Sequence, residues 1–150
     1  MKLRSPFFID NLGSDQPYNS MLVIAPYCHT RCPDCHNKHL RSGELKEFTP
    51  LGLAEIFLSN PFWEGVTLGG LEGMDGSEHW WKDFKEFLTL ANVKKLTVYT
   101  SQYSFYPLPM VKELYYKFGD YRPDLPSKEV EVEGWKITLA SDNQEFIKIR

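Results

Sequence analysis

Three short apolar runs, separated by helical patterns, set the fold this chain can adopt. Met21-Leu22-Val23-Ile24-Ala25 is continuously apolar, Gly65-Val66-Thr67-Leu68 follows, and Leu96-Thr97-Val98-Tyr99-Thr100 completes the series. Strands buried on both faces carry such unbroken runs, whereas half-exposed strands alternate. Between the first two runs, Thr49-Pro50 reads as an N-cap and first helical position, with Leu53, Ile56 and Phe57 at helical spacing. Between the second and third, Ser77 is a candidate N-cap, and Trp80, Phe84, Phe87, Leu88 and Ala91 form an apolar stripe. Strand, helix, strand, helix, strand predicts an α/β fold around a parallel sheet.

The flanking segments read differently. Residues 5–20 are polar with Gly and Pro, and predict an irregular lead-in. Residues 108–116 fit a short helix from Pro109, or a helix passing into a strand. Beyond Pro126, Val130 and Val132 alternate with Glu129, Glu131 and Glu133, and Trp135, Ile137 and Leu139 alternate with Lys136 and Thr138. With Glu133-Gly134 between them, these predict a C-terminal antiparallel hairpin. Phe146 to Ile149 is one more candidate strand. No repeat or linker divides the 150 residues, which fit a single domain over 1–150.

Charge and hydropathy narrow the partners. Seventeen basic against 20 acidic residues give a net charge of −3, without the basic footprint that nucleic acid requires. The longest apolar run, Met21 to Pro26, is far below the ~18 residues of a membrane span. Only Phe7-Phe8-Ile9 follows the basic start, too little for the apolar region of a signal peptide. The expectation is a cytoplasmic protein that meets neither membrane nor nucleic acid.

All three cysteines fall within Cys28-His29-Thr30-Arg31-Cys32-Pro33-Asp34-Cys35-His36-Asn37. An odd, clustered set is not a disulfide framework. Thiols in a reducing compartment at this spacing point to one soft metal centre. One reading is zinc, held by Cys28, Cys32 and Cys35 with His36 or His29 as fourth ligand. Closed zinc sites usually draw on a second, distant knuckle, and no other cysteine exists to supply it. The other reading is a [4Fe–4S] cluster with three cysteine ligands and one open iron, which can bind and activate a small molecule.

The C-x3-C-x2-C spacing after an apolar strand resembles the signature of the radical S-adenosylmethionine (radical SAM) superfamily. That resemblance implies a small partial (β/α) barrel and a [4Fe–4S] cluster on Cys28, Cys32 and Cys35. It further implies S-adenosyl-L-methionine (SAM) chelated at the open iron and cleaved reductively to a 5′-deoxyadenosyl radical. Gly69-Gly70, with Glu72 beyond Leu71, lies where the family's Gly-Gly-Glu motif falls and would meet the methionine end of SAM. Asp34 occupies the position before the third cysteine, aromatic in many members, and would contact the nucleoside through its backbone. His36 offers a flat surface beside it, and Thr100 a hydroxyl for the ribose. Lys117 reads either as a contact for the cofactor carboxylate or as a surface lysine.

Within the superfamily, the chain resembles the activases of glycyl radical enzymes, the smallest of which serve anaerobic (class III) ribonucleotide reductases. Cys32-Pro33-Asp34-Cys35-His36-Asn37 is similar to their Cys-Pro-x-Cys-aromatic-Asn segment. Tyr116-Lys117-Phe118-Gly119-Asp120-Tyr121 resembles a lysine–glycine–tyrosine stretch of relatives. Ala140-Ser141-Asp142-Asn143-Gln144 resembles their Ser-x-Asn-Gln element, with Glu145 where arginine is common. The implied partners are an anaerobic ribonucleotide reductase or another glycyl radical enzyme, and a flavodoxin or ferredoxin as reductant. No catalytic side chain beyond the cluster ligands is implied. The alternatives are a small-molecule radical SAM enzyme, such as a ring-forming synthase of the 7-deazaguanine pathway, and a non-enzymatic zinc-binding module.

Overall fold

A computed structural model describes residues 1–12, 16–28 and 38–150. The elements in chain order are β1 (Lys2–Arg4), β2 (Phe8–Leu12), β3 (Asn19–Ile24), β4 (Leu45–Glu47), α1 (Pro50–Leu58) and β5 (Gly65–Gly69). There follow α2 (Glu78–Leu90), β6 (Lys95–Thr100), β7 (Glu113–Phe118), β8 (Lys128–Val132), β9 (Trp135–Leu139) and β10 (Glu145–Lys148). A 3₁₀ turn spans Lys38–Ser42. No described helix is long and apolar enough to cross a membrane.

Six strands form one sheet in the order β10-β7-β6-β5-β3-β2. β3, β5, β6 and β7 run parallel, and the antiparallel strands β2 and β10 leave the sheet open at both edges. From β3 to β7 the chain always steps to the same side. Right-handed crossovers then place α1 and α2 on one face. The two helices touch there, and Phe57 meets Phe87 edge to face at 6.5 Å. Capping agrees with the local sequence: Thr49 Oγ1 accepts from Gly52 N, and Ser77 Oγ accepts from Trp80 N.

Register sorts the side chains. Met21, Val66, Leu96 and Leu114 are level with one another, as are Val23, Leu68, Val98 and Tyr116. These pack with Leu53, Trp80, Trp81, Phe84 and Phe87 into the apolar core. Residues of opposite parity, Ile9, Leu22, Ile24, Gly69, Tyr99 and Lys117, lie on the face away from the helices. Near the strand starts that face is closed by polar groups. Tyr18 Oη donates to Val66 O at 3.0 Å and shares a bond with Thr97 Oγ1 at 2.6 Å. Ser20 and Thr67 hydroxyls meet at 2.8 Å, and Gln16 Nε2 donates to Tyr18 O at 2.7 Å.

Two expectations need correction. Residues 5–20 are not an irregular lead-in, because β2 lies within them and pairs antiparallel with β3. Its polarity reflects an edge position: Ile9 is 42% exposed, and Asp10 accepts from Trp63 Nε1 at 2.7 Å. Residues 108–116 contain no helix; from Glu113 they are strand β7, held between β6 and β10. The preceding turn is fixed instead by Arg150, whose guanidinium donates to the carbonyls of Pro107, Leu108 and Val111. At the hairpin, Glu133 (φ 54°) and Gly134 (φ 80°) give the two positive φ values of a type I′ turn between Val132 and Trp135.

Burial pushes the Tyr116 hydroxyl from its ordinary 10 up to about 12, and pushes that of Tyr18 up as well. A group that ionises more readily unfolded than folded contributes stability below pH 10 and loses it as pH rises through its folded value. The midpoint of urea unfolding, followed by tryptophan fluorescence, is expected to fall steeply between pH 10 and about 12. Tyr116→Phe should make that fall shallower.

Candidate functional site

The parallel strands end at one edge, where ligands of open α/β sheets collect. Beyond β3, Ala25 N donates to Gly69 O at 2.9 Å, and the chain continues through Pro26 and Tyr27 to Cys28. The half-buried Cys28 thiol stands near the Arg41 side chain, with which it lines one cavity, and near Glu72. Burial pushes the thiol pKa up, with Arg41 acting in the opposite direction. Cys32, Cys35, Asp34 and His36 lie outside the described residues. Among the described residues, no three metal-ligating side chains converge.

The glycine pair follows from the packing. Gly70 has φ +76°, and a Cβ there would lie 2.9 Å from Ile24 Cδ1. A Cβ on Gly69 would lie 2.7 Å from the Tyr99 ring. Glu72, next in the loop, is only 5% exposed. Its Oε2 accepts from both the backbone N and the Oγ of Ser101 at 2.7 Å, and its Oε1 accepts from Met74 N at 3.0 Å. Glu72 is therefore a latch between the ends of β5 and β6. Thr100 is buried, sits in register with Phe118, and accepts from Gln102 N at 3.0 Å. Its neighbour Tyr99 is the residue of this strand end that faces the open side.

That open side holds a cleft of about 960 Å³, of the size that takes a small ligand. Leu22, Ile24, Gly70, Tyr99 and Lys117 form its sheet wall. Ser5 and Pro6, His39 and Leu40, and Thr138 and Ala140 flank it. Lys117 Nζ stands 4.7 Å from the Tyr99 ring centroid, a cation over an aromatic face. Lys117 thus lines the cleft and is partly exposed, which leaves both of its readings open. A second cavity of about 440 Å³ adjoins Cys28 and is lined by Arg4, Tyr27, Lys38, Arg41, Ser42 and Leu71.

The Ser-x-Asn-Gln element is built into the same edge. Gln144 Nε2 donates to Gly119 O at 3.1 Å, and its Oε1 accepts from Ala140 N at 3.0 Å. Asn143 Nδ2 donates to Asp120 O at 2.8 Å, and Ser141 Oγ accepts from Arg122 N at 3.2 Å. These bonds staple the turn before β10 onto the end of β7. Trp80, Phe84 and Phe87 are core residues, as their stripe predicts, and Trp81 is buried beside them. Sequence reasoning missed Arg41, Lys38 and Arg4 at the cysteine, and Tyr99 in the cleft. For Tyr99 the signal exists: it is two residues from Thr97 in a strand, so it shares the face opposite Val98. For the three cations there is none, since a 3₁₀ turn brings them together.

Compared with protein-family models, curated proteins and solved structures, the chain has no match. Its function is read from its own residues.

Two substitutions separate the fold's demands here from a ligand's. Glu72→Ala strands the Ser101 and Met74 donors and should cost about 1–3 kcal/mol in urea unfolding. Gly70→Ala forces a side chain into a left-handed conformation and should cost about 1–2 kcal/mol.

Proposed function

We propose that this chain is a radical SAM activase, a single domain over 1–150 shaped as a partial (β/α) barrel. It would install a glycyl radical on a separate protein. The observation that carries the reading is the meeting of Cys28, Gly69-Gly70 and Glu72 at the ends of neighbouring parallel strands, beside a ligand-sized cleft. The donor set fits an iron–sulfur group: three thiols within eight residues of chain, the first beside the cations Arg4, Lys38 and Arg41. Cys28, Cys32 and Cys35 would hold a [4Fe–4S] cluster with one iron open to SAM.

A cluster held by Cys28, Cys32 and Cys35 would supply one-electron reduction of the SAM sulfonium, and with it the means to take one hydrogen atom from a partner glycine, a flavodoxin or ferredoxin being the source of the electron. The chain's own residues bind and orient. Gly69 and Gly70 let the ligand approach the backbone closely. Leu22 and Ile24 give apolar contact, and Lys117 over Tyr99 offers a cation to a carboxylate. Glu72 keeps the β5 end against β6, and Asp34 and His36, outside the described residues, would be the contacts to the nucleoside. Thr100 serves this edge through the turn that it caps at Gln102.

The partner follows from the open sheet face. A radical formed in a cleft that no described helix covers needs a second surface to exclude solvent, and a glycine-bearing loop of another protein would supply one. The motif resemblance selects an anaerobic ribonucleotide reductase, or another glycyl radical enzyme, in the cytoplasm.

Anaerobic reconstitution should give about four iron and four labile sulfide per chain, and Cys28→Ala should abolish the stable cluster. Stoichiometric zinc without sulfide would replace this reading with a zinc module. With reductant and SAM, the chain alone should cleave SAM slowly. With the matching reductase it should yield a doublet glycyl signal in electron paramagnetic resonance. Turnover of a small molecule with no protein partner would establish the small-molecule alternative instead.

A further inference from the structure

A cavity of about 810 Å³ lies along the first two turns of α2, of a size that small ligands occupy. Among the described residues it is lined by Glu78, His79, Trp81, Lys82, Lys85 and Tyr106. Glu78, Trp81, Lys82 and Lys85 follow at i, i+3, i+4 and i+7, so the helix presents them on one face. Tyr106 closes the other side. Its ring lies 4.8 Å from that of Trp81, and Lys85 Nζ stands 5.8 Å from its centroid. Tyr116 fixes it there: Tyr106 N donates to Tyr116 Oη, and that hydroxyl donates to Tyr106 O, both at 3.1 Å.

Two features of this cavity ask for an anion. Trp81 is only 4% exposed, yet its indole Nε1–H has no hydrogen-bond acceptor. Buried donors are nearly always paired, so an orphan marks a missing partner. Nε1 lies beside Gly76, where a Cβ would stand 3.2 Å from it, so a glycine keeps side chain out of that space at the helix start. The second feature is charge. Lys82 and Lys85 are exposed and, among the described residues, enter no ion pair, unlike Lys95, Lys128 and Lys148. Only Glu78 opposes them in the described lining. His79, one turn before Lys82, adds an imidazole donor. A single carboxylate would meet one of these groups. A phosphate chain, with several oxygens and more than one charge, can meet them together.

We propose that this cavity binds a phosphate-bearing small molecule, held by Lys82, Lys85 and His79 and reached by the indole N–H of Trp81. The ammonium groups supply charge, the indole one directed hydrogen bond, and the Trp81 and Tyr106 rings a fixed apolar floor. Glu78 repels the same ligand, which favours species with more than one negative charge. The site stands apart from the activase reading, because none of its described residues lines either hollow of the strand-end edge.

The test is a titration of the isotope-labelled full chain with inorganic pyrophosphate, read by calorimetry and by the nuclear magnetic resonance signal of the Trp81 indole N–H. That signal, assigned by its loss in Trp81→Phe, should move downfield as the orphan donor gains an acceptor. Added salt should weaken the binding. Lys82→Gln combined with Lys85→Gln should weaken it about tenfold, and Glu78→Gln should tighten it up to about fivefold. An indole signal that stays in place overturns the inference. So does an affinity unchanged by loss of both lysines, which would mean an adventitious ion elsewhere. If Trp81→Phe does not fold, calorimetry on the exposed Lys82, Lys85 and Glu78 variants decides, and parental affinity in all of them overturns the inference. Hexaglutamate moving the signal at a lower concentration than pyrophosphate overturns the phosphate assignment and makes the cavity a protein-docking face.

Discussion

Burial of one sheet face under α1 and α2 is the constraint on which the other features depend. The α2 stripe places Trp80, Trp81, Phe84 and Phe87 against Val66, Leu68, Leu96 and Val98, within one apolar cluster. Each such side chain contributes roughly 1.5–3 kcal/mol when fully buried. Because β3, β5, β6 and β7 follow one another in a single direction, both helices must share that face. The opposite face is left to polar groups and to a cleft. At the strand starts, Tyr18, Ser20, Thr67 and Thr97 satisfy one another's hydroxyls in a buried layer. At the strand ends no such layer forms among the described residues, and the cleft between Leu22, Ile24, Tyr99 and Lys117 lies there.

The strand-end edge is held by side chains that reach across sequence. Glu72 ties the β5 loop to Ser101 beyond β6, Gln144 ties the β10 turn to Gly119 beyond β7, and Arg4 ties Pro26 beyond β3 to Gly43. Each spans 25 or more residues except the Arg4 bond to Pro26, with a separation of 22. Loops at this edge are thus fixed by single polar anchors rather than by apolar packing. That arrangement gives a rim of defined shape around a space left open.

The strands and helices of the parallel core were legible because each has a local cause. Unbroken apolar runs mark β3, β5 and β6; Thr49 and Ser77 mark the helix starts; alternation around Glu133-Gly134 marks the hairpin. β2 was not legible, because an edge strand with Asp10 and Asn11 lacks the apolar run of a central one. β7 was obscured by Pro107 and Pro109, whose turn is set by Arg150 from the far end of the chain. At the site, the glycines were legible as a strand-end pair, but Arg41 and Arg4 were not. Their positions depend on a clamp that closes between segments 39 and 22 residues apart.

The residues at this edge divide by what accounts for them. Packing alone requires Gly69 and Gly70, since a Cβ at either would strike Tyr99 or Ile24. Loop anchoring alone requires Glu72, Asn143 and Gln144, whose polar bonds are to neighbouring turns. The fold thus accounts for each of them singly; what bears on function is that Gly69, Gly70 and Glu72 share one edge with Cys28 and the cleft. The two hollows of this edge are defined by other residues: one adjoins Cys28 and is lined by Arg4, Lys38 and Arg41, and the other has Lys117 over Tyr99 in its wall. An iron–sulfur group at Cys28, with a small ligand lying from it along the larger cleft, is the occupant that the proposed activity would place there.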